Sequence, residues 1–135
     1  MKDKVINDSI LELLPDKCCD GFSVYGHRKK STHEEMFDSL DNKKDRGKLC
    51  AITLGAGKDK EKAIRNFVDK HKKLFVCMEW YFLLLKCGNK FFVARVYVHD
   101  DGLLRVLVYR FEDVIVWSVL YGHRVVVPQS AVSFL

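Results

Sequence analysis

The stretch from Leu74 to Val127 constrains this chain more than any other. It is dense in Val, Leu, Phe, Tyr and Trp and is broken by short turns rather than by helix caps. Residues of these types fit a pleated, half-buried surface. The stretch reads as strands at Leu74–Cys87, Lys90–His99, Leu103–Phe111 and Val114–Leu120, with a short return at Arg124–Val127. Gly88-Asn89 suits a two-residue hairpin, because both positions tolerate positive φ. Asp100-Asp101-Gly102 ends on the glycine that a three-residue loop places in the left-handed region. Strands joined by such turns form an antiparallel meander.

The register of the hairpins decides which side chains share a face. A three-residue loop at 100–102 sets Val98 opposite Leu104 and Tyr97 opposite Arg105. One face then carries Tyr81, Leu83, Leu85, Phe92, Ala94, Val96, Val98, Leu104, Val106 and Val108. The other carries Met78, Trp80, Phe82, Leu84 and Lys86 with Phe91, Val93, Arg95, Tyr97, His99, Leu103, Arg105, Leu107 and Tyr109. A two-residue loop would set Arg105 among the valines, since a one-residue slip moves every side chain to the opposite face. The segregating register is expected. It gives one aliphatic core face and one face that is aromatic, cationic and still largely apolar.

Upstream, Val5, Ile6, Ile10, Leu13 and Leu14 recur at near-helical spacing, and Pro15 stops the pattern. Asp16 to Lys30 reads as a loop in which Phe22 to Tyr25 can pair as a short edge strand. Ser31 and Glu34 form a capping box for a second helix reaching Leu40, with Met36, Phe37 and Leu40 as its apolar stripe. A charged loop at 41–47 leads to a strand at Leu49–Leu54. A third helix over Asp59–Lys73 follows, striped by Ala63, Ile64, Phe67, Val68 and His71. The fold class expected is therefore α+β: two N-terminal helices, a strand, a third helix, then an antiparallel β-meander of about four to five strands with helices on one face.

With 135 residues the chain is read as a single domain, 1–135, able to build a core without disulfides or metal. The five cysteines are Cys18, Cys19, Cys50, Cys77 and Cys87. An odd count without a secretory-type start reads as reduced thiols in a cytoplasmic setting. Cys77 and Cys87 are placed within or at the end of a strand, acting as small apolar side chains. No apolar run is long enough to cross a bilayer as a helix, so no membrane partner is expected. A formal charge of +5 favours phosphates or an acidic partner without requiring either.

Candidate chemistry is sparse. Gly55-Ala56-Gly57-Lys58 precedes a helix but fails as a P-loop. Ile52 stands where the first glycine is needed, and Asp59 where a Ser or Thr binds magnesium. Lys70, Lys72 and Lys73 give the third helix a basic end, either a solvated face or a contact for phosphates. Tyr-Gly-His-Arg occurs at 25–28 and again at 121–124. His27 and His123 are thus candidates for an acid–base pair with Arg28 and Arg124 on a phosphate; plain turn chemistry is the alternative. Cys18, Cys19, His27 and His33 are soft ligands, but adjacent cysteines are poorly spaced for tetrahedral zinc, and neither metal nor cofactor is expected. Glu79 falls on the aliphatic face, where it must reach solvent or pair with Arg110 or a helix lysine.

Three functional readings follow. In the first, the chain is a small protein-interaction module (an inhibitor, immunity-type or adaptor protein). It would bind a possibly acidic protein through Trp80, Arg95, Tyr97, His99, Arg105 and Tyr109, residue types that dominate interfaces. In the second, the same face stacks single-stranded nucleic acid, helped by Lys70, Lys72 and Lys73. In the third, the chain is a small cavity enzyme or uses His27 and His123. No Ser/His/Asp set, paired carboxylates or Cys/His nucleophile pattern stands out, so the chain leans away from an enzyme. Beneath all three lies the plain alternative, that the mixed face is a second core layer.

Overall fold

Gly88 and Gly102 do what their turns require. In the computed structural model, which describes residues 9–40, 51–53 and 59–128, their φ angles are +63° and +88°. The hairpins they close keep the segregating register, with Val98 opposite Leu104, Tyr97 opposite Arg105 and Trp80 opposite Tyr97. In chain order the strands are β1 (Leu11–Leu13), β2 (Phe22–His27), β3 (Ala51–Thr53), β4 (Trp80–Cys87), β5 (Lys90–Val98), β6 (Leu104–Arg110) and β7 (Arg124–Pro128). The helices are α1 (His33–Asp38) and α2 (Lys60–Lys70). All seven strands join one mixed sheet ordered β1-β2-β7-β4-β5-β6, with β3 also paired to β4. Both β7 and β3 run parallel to β4. β7 lies along Tyr81–Leu83 and β3 along Leu84–Lys86.

This architecture corrects the expected fold class. The chain is mostly β, and among the described residues there are two α-helices, only one of them long. Where a first helix was expected, Leu11–Leu13 forms β1, hydrogen-bonded to β2 with Leu11 opposite His27 and Leu13 opposite Tyr25. Leu11 is buried and Leu13 exposed, a period of two enforced by the neighbouring strand over a weak helical spacing. Val5 and Ile6 lie outside the described residues, as do the loop at 41–47 and the Gly55–Lys58 turn. The meander also fails at its end. Val114–Leu120 is not a strand but a loop with a single bridge, Ser31 to Trp117, and a 3-10 turn at Val119–Tyr121. A run apolar on both sides needs a neighbour on each, and none is offered beyond β6. The chain instead crosses the sheet, so that β7 enters between β2 and β4. Leu74–Cys87 is extended only from Trp80, because Leu74 closes a 3-10 turn and Met78 turns the chain at φ +67°. Cys77 therefore sits exposed in that turn rather than in a strand.

The helices lie on opposite faces, not one. α2 starts at Asp59, whose carboxylate accepts from Lys62 N at 3.0 Å, and it buries Ile64 and Val68. These pack on Tyr81, Leu83, Leu85, Ala94 and Val96, with Val24 and Val126 from the other half of the sheet. Each such side chain withdrawn from water contributes roughly 1.5–3 kcal/mol. On the reverse face α1 buries Met36 and Phe37 against Phe82, Leu84, Val93, Phe111 and Trp117. Its capping box uses Thr32 and Glu35, one residue later than the expected Ser31 and Glu34. Half of the mixed face is thus a second core layer. No described helix is long and apolar enough to cross a membrane.

Candidate functional site

The Tyr-Gly-His-Arg repeats meet in space. β2 and β7 are antiparallel neighbours, and His27 N donates to His123 O at 3.0 Å, so the two imidazoles stand side by side with centroids 6.3 Å apart. Gly122 supplies a left-handed residue, φ +61°, that ends the 3-10 turn and aims His123 onto the mixed face. The capping box of α1 sets His33 as the first helical residue on the same layer. Trp117, pinned by its backbone bridge to Ser31, closes the layer from above. All three histidines are buried.

Their hydrogen bonds fix their chemistry. Arg95 Nε donates to His123 Nε2 at 2.9 Å, and Trp117 Nε1 donates to His33 Nε2 at 2.8 Å. Both rings accept at Nε2 and so carry their proton on Nδ1. His123 Nδ1 is buried without a partner among the described residues. His27 Nε2 shares a 2.8 Å hydrogen bond with Ser31 Oγ. Burial pushes the His123 pKa down to about 3, with Arg95, His27 and His33 adding repulsion. Burial lowers His33 to about 4, against the backbone of Arg110 and the charge of Asp113, which favour protonation. His27 is lowered by burial too, opposed by the backbone at Lys29. With their pKa lowered, the three imidazoles are uncharged at neutral pH, and His33 and His123 accept rather than donate at Nε2. The arginines of the repeats are also engaged, Arg28 with Glu12 at 2.9 Å and Arg124 with Glu79 at 3.6 Å. The last pair replaces the partners expected for Glu79. Among the described residues no group of three His, Cys, Asp or Glu side chains is placed to hold a metal.

Arg95 is the centre of this layer. It is only 9% exposed, and its guanidinium carbon lies 3.7 Å from the Trp80 ring centre, 4.7 Å from Trp117 and 5.3 Å from Tyr121. A desolvated cation over aromatic faces gains about 2 kcal/mol or more, which offsets part of the cost of burying it.

The sequence-derived binding residues separate into two groups. Arg95 is inside, and Tyr109 is half-buried against Trp117 and His33. Trp80 and Tyr97 are half-buried at the rim, in contact at 4.7 Å, and Tyr97 touches the exposed His99 at 4.9 Å. Arg105 is exposed across the ladder from Tyr97. Lys70, Lys72 and Lys73 are exposed at the end of α2, on the opposite side of the sheet. Sequence reasoning missed what lies next to the rim. Leu120 is 93% and Val114 85% exposed, and Ile115, Val116, Val119 and Tyr121 are exposed with them. The signal was present in a run without period-two alternation, which a one-sided strand would show. Beside Val119, a cleft of about 610 Å³ opens between β1 and His27, rimmed by Glu12 and Arg28.

Comparison with protein-family models, curated proteins and solved structures finds no match, so the site is read from its own geometry.

Proposed function

We propose that this chain is a small protein-interaction module whose binding surface is the Val114–Tyr121 loop together with the aromatic rim of the sheet. The observation that carries this reading is the exposure of six apolar side chains in that loop among the described residues, while Trp117 is buried. Monomer surfaces rarely keep so large an apolar patch without a use for it. The patch is continuous with the rim, since Tyr121 and Trp80 both lie over Arg95 and Trp80 leads on to Tyr97 and His99. Large, stiff aromatics over a packed base lose little entropy on docking. Arg105 at the border attracts an acidic partner. Arg95 acts from below, holding Trp80 and Tyr121 in place.

The nucleic-acid reading gains less support. It joins the aromatic face to Lys70, Lys72 and Lys73, but these lie on opposite sides of the sheet and cannot grip one strand together. The test is a photo-crosslinking residue placed at Leu120, at Tyr97 and, as control, at Lys62 on α2. Leu120 and Tyr97 are expected to capture the same protein, and Val114→Asp is expected to abolish both adducts. Adducts no different from those at Lys62, or adducts to nucleic acid alone, overturn the reading.

A further inference from the structure

Among the described residues β6 is an edge strand, and its outer side is open over a short, symmetric window. His99 N donates to Leu103 O at 2.8 Å, so the odd-numbered residues of β6 exchange bonds with β5 and the even-numbered ones turn theirs outward. Both ends of that outward row are already clamped. Leu104 O accepts from Arg65 Nη1 at 2.9 Å, and Arg110 N donates to Asp113 Oδ2 at 3.2 Å. Between the clamps, the N–H and C=O of Val106 and Val108 have no partner among the described residues. Two of the usual protections of an edge are missing: the strand contains no proline, and its pairing with β5 runs without a bulge; its charges, Arg105 and Arg110, lie outside the Val106–Val108 window.

We propose that two copies of this chain pair through this window, β6 against β6, antiparallel about a two-fold axis at Leu107. Val106 of each copy then lies opposite Val108 of the other, and four N–H···O bonds form. Other registers call on Leu104 O or Arg110 N–H, which are spent. The window reads Val-Leu-Val, the same from either end, as an isologous contact requires. On the mixed face the register sets Arg105 of one copy opposite Tyr109 of the other, a cation over a ring. It also covers Val108, which is 41% exposed. At each end of the seam the Arg65 clamp, with Glu61 at 3.4 Å, meets the Asp113 clamp of the second copy, so opposite charges face one another. This pairing uses the sheet edge and does not depend on the partner surface proposed above.

Sedimentation equilibrium of the full chain is expected to show a monomer–dimer equilibrium in the micromolar range, about 10–100 µM. Val108→Pro removes an outward N–H without touching a bond to β5, and is expected to weaken the dimer at least about tenfold. Leu107→Lys sets two like charges face to face on the axis and is expected to do the same, which keeps the test intact if the proline variant fails to fold. A wild-type chain that stays monomeric to about 1 mM, or a dimer indifferent to both substitutions, overturns the proposal.

Discussion

Leu83 and Phe82 are adjacent on β4, both fully buried, yet they face different kinds of interior. Leu83 points into an aliphatic layer of Val24, Ile64, Val126 and Ala94 beneath α2. Phe82 stacks on His123 at 4.3 Å, meets Trp117 at 5.2 Å and faces His33 at 5.4 Å. The first layer is held by exclusion of water; its titratable group is the Tyr81 phenol, which burial pushes up and which therefore stays neutral in acid. The second is held by aromatic stacking around a buried cation and three imidazoles, so its stability depends on proton activity. One sheet thus supports a half insensitive to acid and a half that acid weakens.

The largest effect that sharpens this contrast is on acidification. His33 and His123 stay neutral in the folded chain down to about pH 4 and 3, whereas in the unfolded chain they bind protons from about pH 6.5. The unfolded state therefore holds more protons in that window. Stability is expected to be fully present above about pH 6.5, to fall as pH drops toward 4, and to level off below 3. The loss is on the order of several kcal/mol, at about 1.4 kcal/mol for each unit of pKa depression. Urea titrations at several pH values measure it. Leu83→Ala is expected to cost about 3 kcal/mol equally at pH 7 and pH 5. Phe82→Ala is expected to cost about 4 kcal/mol and also to flatten the pH slope, because water then reaches the imidazoles. Equal slopes in both variants would erase the contrast.

A smaller effect tests the centre of the polar layer. Arg95→Ala is expected to destabilise by about 3 kcal/mol, through lost stacking with both indoles and an unpaired His123 Nε2. It is also expected to shift acid unfolding to slightly lower stability loss per pH unit, since the guanidinium no longer opposes protonation of His123. Thermal and urea melts at two pH values read both. The smallest effect is at the rim. Leu120→Ser is expected to leave the melting curve within about 0.5 kcal/mol of wild type, because that side chain has almost nothing to lose on the folded surface. A drop comparable to that of Arg95→Ala would place Leu120 in the core and remove the binding surface.

Turn chemistry and alternation were legible in the sequence because both are local. Gly88 and Gly102 fixed two hairpins, and period-two patterning then sorted Tyr81 from Phe82 and Ala94 from Arg95 onto the two faces. What escaped depends on distant partners. Leu11–Leu13 is too short to declare itself a strand; only β2 makes it one. The crossing of β7 into the middle of the sheet leaves no local trace, and the composition of Val114–Leu120 fits the strand that a meander needs next. The candidate site was legible in its rim, Trp80 and Tyr97, and in the repeated Gly-His pairs. The bond from Trp117 to His33 spans 84 residues and no spacing rule reaches it.

The place of β7 has a consequence for the chain while it is being made. Val24 of β2 pairs with Val126 of β7, and β7 in turn pairs with β4, so one late strand joins the two halves of the sheet. A nascent chain that has emerged only as far as Arg110 contains every other strand and nothing to unite them. Its β4 edge stands open along Tyr81–Leu83 and its β2 edge along Phe22–Gly26, and the layers around Phe82 and Leu83 lack Val125 and Val126. Unpaired edges of that kind are where intermolecular pairing begins. Cooperative closure of the two halves must therefore wait until residues 124–128 have left the ribosome.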